Sequence, residues 1–245
     1  MAGELDSNGI LEGCGVSLQR DADGLAIVGD GMVVRADFKR LLPRVRRGRL
    51  QGELLVRAAR VKGVEDPVAL DATAGLGEDS FLLAAAGFTV EMYERDSVIA
   101  ALLRDGLERA AAEPELAIIV GRMHLHEADS VAALGVLVDG SGETPDGTRA
   151  PDVVYLDPMF PERQKSAAVK KKLQLLQRLE EPCSDEEADL LVRAAVAARP
   201  RKVIVKRPAK GPYLAGMKPA YSIEGKAVRF DCIVPANIPS SSGSR

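Results

Sequence analysis

The amino-acid sequence predicts an α/β fold with a mostly parallel sheet, a late antiparallel strand and a small N-terminal extension. From residue 68 onward, short apolar or β-branched runs alternate with longer helical stretches, which is the pattern of βαβ units. A glycine-rich turn joins the first strand of that series to its first helix. A chain of 245 residues, 46% hydrophobic and 28% charged, has the length and composition of a folded globular protein with one large core.

Short apolar runs mark the strands of the predicted sheet. The third strand is expected at one of two places, 116–120 or 123–127. The remaining strands are expected at 68–71, 89–94, 153–156 and 202–206, with the late antiparallel strand at 227–234.

Helices are expected between these strands, over 79–86 and 97–112. Ser130 is placed to cap the helix that follows the third strand. The stretch 140–151 is rich in Gly, Thr, Asp and Pro, so we expect an exposed loop there.

The N-terminal quarter of the chain differs from the rest. It has strand-like stretches at 25–28 and 32–34, then a basic run and a helix. We therefore expect three parts: an N-terminal extension over 1–65, the main domain over 66–236, and a disordered Ser-rich tail over 237–245.

Composition excludes several classes of protein. No apolar run approaches the ~20 residues that span a bilayer, and the N-terminus does not resemble a signal peptide, so we expect no membrane partner. Three scattered cysteines suit a reducing compartment, and we expect a cytoplasmic protein. His124 and His126 alternate on a predicted strand without nearby thiolates, and we expect no metal site. The sequence gives no indication of the oligomeric state.

A glycine-rich segment, Asp71-Ala72-Thr73-Ala74-Gly75-Leu76-Gly77, directly follows an apolar strand and directly precedes a helix. Glycines at such a turn let the backbone approach a bound ligand, so Asp71, Gly75 and Gly77 are candidate binding residues. Glu94 ends the next strand, where a carboxylate can accept hydrogen bonds from ribose hydroxyls. Alone, the segment is more often an ordinary tight turn; with Glu94 and the motif described next, it indicates a nucleoside site.

A second motif, Asp157-Pro158-Met159-Phe160-Pro161, follows the strand at 153–156. One reaction that this motif suits is methylation of an exocyclic amine, which requires acceptors that hold the amine hydrogens. The Asp157 carboxylate and the Pro158 carbonyl are candidates for these two acceptors. Phe160 offers a face on which a base can stack. An Asp-Pro pair is also a common turn former, so Asp157, Pro158 and Phe160 are candidate catalytic residues rather than assigned ones.

Basic residues cluster after the predicted strands at 153–156 and 202–206 and in the N-terminal extension. The net charge is −3, so any binding to nucleic acid must depend on such local patches. Charge runs are more often merely solvated. The candidate RNA-binding residues are Arg163, Lys165, Lys171, Lys206 and Arg207, and a further basic run is formed by Arg44, Arg46, Arg47 and Arg49.

These motifs together resemble the RsmJ family, the bacterial small-subunit ribosomal RNA guanine-N2 methyltransferases. The resemblance covers most of residues 50–235 and is poor over the first 30 residues and the tail. It rests on 71–77, Glu94-Arg95, 154–161 with Gln164-Lys165-Ser166 and Val169-Lys170-Lys171, 205–208 and 229–231.

The resemblance implies a class I, Rossmann-like methyltransferase fold that binds S-adenosylmethionine. It implies methyl transfer to the exocyclic N2 of a guanine, with 16S rRNA or the small ribosomal subunit as partner. Carried over by position, the implied cofactor contacts are Glu78, Asp79, Glu94, Arg95, Asp129, Ser130 and Asp157.

Three other functions remain open at this point. The first is a different amino-group methyltransferase, acting on another rRNA guanine, on adenine or on a protein amide. The second is a non-catalytic RNA-binding assembly factor. The third, a dinucleotide oxidoreductase, is disfavoured because Thr73 replaces the first glycine of that motif.

Overall fold

The computed structural model describes residues 10–11, 15–138, 150–158, 175 and 183–235. Within them lie a four-stranded antiparallel sheet and a seven-stranded, mostly parallel sheet. The predicted tail and residues 140–149 of the predicted loop lie outside the described residues. None of the helices described is both long and apolar enough to cross a membrane.

The small sheet is an antiparallel meander near the N-terminus. Its β3–β4 turn is Asp30-Gly31, and both residues have positive φ (50° and 69°), as a two-residue hairpin turn requires. The two strands predicted in this region are confirmed, whereas β2 was not predicted. The strands are β1 (Ile10–Leu11), β2 (Val16–Asp21), β3 (Gly24–Gly29) and β4 (Met32–Val34).

The main sheet has the order β10-β11-β9-β8-β5-β6-β7, in which β5 to β9 run parallel. The late strand β11 pairs antiparallel with β9, as predicted, and β10 adds an antiparallel edge strand that was not predicted. Of the two alternatives for the third strand, 123–127 is the strand and 116–120 is helical. The strands are β5 (Val68–Asp71), β6 (Thr89–Glu94), β7 (Met123–Glu127), β8 (Val153–Leu156), β9 (Lys202–Pro208), β10 (Tyr221–Glu224) and β11 (Val228–Ile233).

The α/β fold is thus confirmed, with β5 and β8 buried along their whole length, as central parallel strands must be when both faces are covered. The helices are α1 (Leu42–Val45), α2 (Leu54–Ala59), α3 (Glu78–Ala85), α4 (Ser97–Ala111), α5 (Pro114–Val120), α6 (Ser130–Val138) and α7 (Asp185–Ala197).

The cap of α6 differs from the prediction. The Asp129 carboxylate accepts hydrogen bonds from the amides of Val131 (2.7 Å) and Ala132 (3.1 Å), so Asp129 caps the helix and Ser130 is its first residue. The prediction of a Ser130 cap was therefore wrong by one residue, since Asp and Ser are both good caps and adjacent in the sequence.

The small sheet is held against α4 by one buried carboxylate. Asp105 accepts hydrogen bonds from the Arg20 guanidinium (2.6 Å), the Leu25 amide (3.0 Å) and the Arg109 guanidinium (2.8 Å). Gly106 on the same helix lies so close to Ala36 that an added Cβ would be 2.5 Å from the Ala36 Cβ. The contact therefore depends on both a paired charge and a missing side chain.

The segment that follows the small sheet belongs to the main core. Phe38, Leu41 and Leu55 pack in the same buried cluster as residues of β5, β6 and β8. Lys202, at the start of β9, donates to the carbonyls of Ala58 (2.6 Å) and Arg60 (2.8 Å), so it caps the end of α2.

Candidate functional site

The order of strands creates a switch point at one edge of the main sheet. The chain leaves β5 toward β6 and β7 on one side and returns to β8 and β9 on the other. Ligands of open parallel sheets bind where such connections diverge, beyond the carboxyl ends of the strands. Asp71 ends β5 and Asp157 directly follows β8, and the two strands are hydrogen-bonded neighbours.

The glycine-rich segment follows β5 at this edge of the sheet. Its backbone is hydrogen-bonded to β8 and β6, because the Ala72 amide donates to the Tyr155 carbonyl and the Ala74 amide donates to the Tyr93 carbonyl. Gly77 has φ of 74°, and an added Cβ would lie 2.7 Å from Leu103 Cδ1. Only glycine satisfies both conditions at that position.

Beyond this loop lies a cavity of about 500 Å³, which falls within the range of small-ligand sites. The sequence-predicted residues that line it are Gly75, Glu94, Arg95, Asp129, Ser130, Asp157 and Pro158. Apolar side chains from three elements, Leu76, Ile99 and Leu191, also line it. The cavity therefore combines apolar walls with a few polar groups, as nucleoside sites do.

Glu94 is fixed in place by backbone amides. Its carboxylate accepts hydrogen bonds from the Gly75 amide and from the Asp96 amide, each at 2.9 Å. A carboxylate can accept about four hydrogen bonds, so Glu94 can still accept hydrogen bonds from ribose hydroxyls. The side chain thus connects the glycine-rich loop to the wall of the cavity.

The other predicted cofactor residues, Asp71, Gly77, Glu78 and Asp79, are not among the residues that line this cavity. The Glu78 carboxylate pairs with Arg40 at 3.1 Å on the surface. Asp71 is buried and accepts hydrogen bonds from Ser80 and from the Thr73 amide. Burial raises the pKa of Asp71 to about 7, although those hydrogen bonds oppose the shift.

A network of charged groups lies beside the cavity, at the ends of β8 and β9. The Lys206 ammonium is 2.7 Å from Asp79 Oδ2 and 2.8 Å from Asp157 Oδ2. The Tyr155 hydroxyl donates to Asp79 Oδ2 at 2.6 Å. The Asp157 amide donates to Thr73 Oγ1 at 2.7 Å, which joins the network to the glycine-rich segment.

The charges in this network stabilise one another. Burial would lower the pKa of Lys206, but the carboxylates of Asp157 and Asp79 outweigh it and hold that pKa well above its usual range. Burial would raise the pKa of Asp79, but Lys206, Tyr155 and Arg44 outweigh it and lower that pKa. The ammonium and its carboxylate partner Asp79 are therefore both charged near neutral pH.

The predicted RNA-binding residues separate into three groups. Arg207 is buried and donates to the Pro212 carbonyl, so its position does not favour the predicted phosphate contact. Lys206, the second candidate, lies between the carboxylates of Asp79 and Asp157 in the charged network. The remaining candidates, Arg163, Lys165 and Lys171, lie outside the described residues, as does the candidate catalytic residue Phe160.

Several residues of the cavity wall were not predicted. Cys183 and Glu187 come from the start of α7, Leu190 follows on the same helix, and Tyr93 comes from β6. Ser184 and Glu187 form a capping box, a pattern that predicts where α7 begins. Nothing in the sequence indicates that this helix end reaches Arg95, whose guanidinium lies 3.4 Å from the Glu187 carboxylate.

Comparison with known proteins agrees with this geometry. A family model described as "Putative SAM-dependent methyltransferase" matches residues 12–235. Ribosomal RNA small subunit methyltransferase J of Thioalkalivibrio sulfidiphilus is 44% identical over 230 residues, which are 92% of this chain and 83% of that protein. The protein of that name from Nitrosococcus oceani is 47% identical over 188 residues, 77% of this chain and 70% of that protein.

A crystal structure of an S-adenosylmethionine-dependent methyltransferase from Neisseria gonorrhoeae superposes on the chain with a TM-score of 0.71 at 33% identity. The match covers 94% of this chain and 87% of that one. An rRNA methyltransferase of Streptomyces viridochromogenes, with a TM-score of 0.50 and 18% identity, shares the fold. The chain is therefore an S-adenosylmethionine-dependent methyltransferase, and it belongs to the family of ribosomal RNA small subunit methyltransferase J.

Proposed function

We propose that this protein transfers a methyl group from S-adenosylmethionine to the exocyclic N2 of a guanine in the 16S rRNA of the small ribosomal subunit. The observation that supports this most is the position of Asp157-Pro158, which lines the cavity at the switch point and is held by Lys206. The names of the relatives support the small ribosomal subunit as the substrate. Such a substrate gives the enzyme a cytoplasmic location.

The residues of the cavity suit S-adenosylmethionine. Glu94 would accept hydrogen bonds from the ribose hydroxyls, and the apolar walls suit the adenine ring. Asp129 and Ser130, at the start of α6, line the same cavity. When bound, the cofactor supplies an activated methyl group on its sulfonium. The amine therefore needs orientation more than it needs a strong base.

Orientation of the amine falls to Asp157 and Pro158. The Asp157 carboxylate accepts one amine hydrogen and the Pro158 carbonyl accepts the other, which directs the nitrogen toward the cavity. Positioning of this kind accounts for a large part of the rate in reactions between two bound groups. After transfer, the amine loses its extra proton to water.

Lys206 acts on this step through Asp157. Because its pKa is raised, the ammonium keeps its proton and does not serve as a base. Its contacts with Asp79 and Asp157 instead fix the carboxylate that receives the amine. We therefore assign Lys206 as a positioning residue, in place of the RNA contact that the sequence predicted.

The test is transfer of a labelled methyl group from S-adenosylmethionine into small subunits purified from cells that lack the protein. Mass spectrometry of the nucleosides then identifies the product. N2-methylguanosine at one position of the rRNA is the expected result. Label in adenosine, label in protein, or cofactor binding without transfer would each overturn the proposal, and would indicate another base, a protein amide or an assembly factor respectively.

A further inference from the structure

Three loops meet at the carboxyl edge of the main sheet, on the side of Lys206 that faces away from the cavity. The first, 46–52, is closed by a bidentate pair between Arg44 and Glu53 (2.9 and 2.8 Å). The second follows β9, and the third is the β10–β11 turn. The Ala209 amide donates to the Ala227 carbonyl at 3.1 Å, which joins the second loop to the third.

The third loop contacts the start of α2, two residues after the first loop ends. A Cβ added to Gly225 would lie 2.5 Å from Cδ1 of Leu54, the first residue of α2, so the first and third loops lie at the same edge. Because β11 begins opposite the end of β9, with Val228 paired to Pro208, the β10–β11 turn lies at the same edge as Lys206. The first loop is also near the active-site network, since Arg44 contributes to the lowered pKa of Asp79.

Each of these three loops carries exposed basic side chains. We call these five side chains together the basic rim. None of them makes a hydrogen bond or an ion pair with any other residue that the structure describes. The rim consists of Arg46, Arg47 and Arg49 on the first loop, Lys210 on the second and Lys226 on the third.

The charge on this edge of the sheet is asymmetric. At the cavity, the exposed acids Asp129 and Glu187 belong to the lining, and Asp185 and Glu186 directly precede Glu187 on α7. The exposed Arg95 also lines the cavity, but it is paired with Glu187. On the side of the basic rim, Glu53 is already paired with Arg44, and Glu224 is exposed at the end of β10. With a net charge of −3, the chain as a whole does not attract polyanions, so a polyanion has a preferred side from which to approach.

We propose that the basic rim is the surface on which the phosphate backbone of the substrate RNA docks, so that the target base reaches Asp157 from the β9–β11 side. The chemistry favours phosphate because arginine and lysine side chains without carboxylate partners can replace the counterions of a nucleic-acid backbone. This inference rests on the proposed function for the identity of the RNA. It places the RNA on the opposite side of Lys206 from the cofactor.

The test compares two variants with equal changes in charge. Arg47→Gln/Lys226→Gln removes one charge from each of two rim loops. Lys62→Gln/Arg199→Gln removes two exposed charges from connections that precede β5 and β9, at the opposite edge of the sheet. Binding of the full-length proteins to a fluorescent fragment of small-subunit rRNA is measured by anisotropy over a series of salt concentrations.

For the rim variant we expect weaker binding and a slope of log affinity against log salt that is smaller by about 1.4, since each single-strand phosphate contact contributes ~0.7. The control should keep the wild-type slope. Equal slopes in the two variants would overturn the proposal, as would equal binding of wild type to polyglutamate, which would assign the rim to acidic proteins. The assay involves no methyl transfer, so a failure of the proposed function would appear in the transfer assay and leave this result interpretable.

Discussion

The two sides of the glycine-rich segment provide different chemistry at the same edge of the sheet. On the β6–β7 side, Glu94 is held by backbone amides and lines a cavity with apolar walls. On the β8–β9 side, Asp157 is held by the charge of a lysine that also pairs with Asp79. We call these the cofactor side and the acceptor side.

The difference indicates how binding and catalysis are divided. Backbone amides, not the linked charges of the acceptor side, fix Glu94 on the cofactor side, so we expect that side to bind its ligand when those charges are changed. The acceptor side depends on linked charges, and a change in one member alters the others. Substitutions on the cofactor side should therefore change affinity, whereas substitutions on the acceptor side should change the rate.

The largest expected effect is that of Asp157→Asn. The amide keeps the size of the side chain but loses the negative charge that pairs with Lys206 and receives the amine. We expect turnover to fall about 10²–10³-fold, the usual cost of losing one preorganised polar group in a catalytic site. Steady-state methyl transfer measures it, with Glu186→Gln, an exposed acid on α7, as control. Turnover within a few-fold of wild type would remove Asp157 from the mechanism.

Glu94→Gln should weaken cofactor binding. A glutamine cannot accept from both the Gly75 and Asp96 amides in the same way, because one of its two terminal groups is a donor. We expect affinity for S-adenosylmethionine to fall about 10–100-fold, from the loss of one charged hydrogen bond, with little change in rate at saturation.

Calorimetric titration with the cofactor measures the effect of Glu94→Gln. Glu127→Gln is the matched control, because Glu127 ends β7 directly opposite Glu94 but does not line the cavity. Equal affinities for the two variants would contradict a role for Glu94 in binding.

The raised pKa of Asp71 should make the free energy of unfolding depend on pH. Burial raises its pKa in the folded protein to about 7, against about 3.9 in an unfolded chain. Between these values the unfolded state releases the proton and the folded state keeps it, so this residue makes folding less favourable as pH rises. The change amounts to about 4 kcal/mol over the whole window, at ~1.4 kcal/mol for each of about three pKa units.

Asp71→Asn carries no titrating group and should not show this loss. Urea unfolding of both proteins from pH 4 to pH 8 measures the difference in their free energies of unfolding. We expect that difference to shift steadily in favour of the variant as pH rises to about 7 and then to level off. A difference that is constant over the range would contradict the assigned burial of Asp71.

The parallel strands were predictable because their signal is local. Val68–Asp71 and Val153–Leu156 are short apolar runs, and the structure has both with the bounds that the sequence predicts. β10 was not predicted because Tyr221–Glu224 is half-buried or exposed along its length, and its stability depends on pairing with β11. The sequence left 116–120 and 123–127 as alternatives for the third strand, because a short apolar run does not distinguish a helix from a strand.

The site was predictable where it depends on position along one strand. Glu94 and Asp157 follow from the rule that ligands bind at the carboxyl ends of strands, and the structure places both on the wall of one cavity. The role of Lys206 was not predictable, because its partner Asp79 is 127 residues away in the chain. A basic residue beyond a strand has the same local sequence whether it contacts solvent, phosphate or a carboxylate.

The most direct test of the division between the two sides is single-turnover methyl transfer by Lys206→Met over a range of S-adenosylmethionine concentrations. Lys206→Arg, which keeps the charge, and Lys218→Met, which removes an exposed one, are the controls. We expect the plateau rate of Lys206→Met to fall about 100-fold while the half-saturating concentration changes little. The rate should recover in part as pH rises, because carboxylates that lose a neighbouring ammonium hold their protons to higher pH. A normal plateau rate with a raised half-saturating concentration would contradict this division, since Lys206 would then serve the cofactor side.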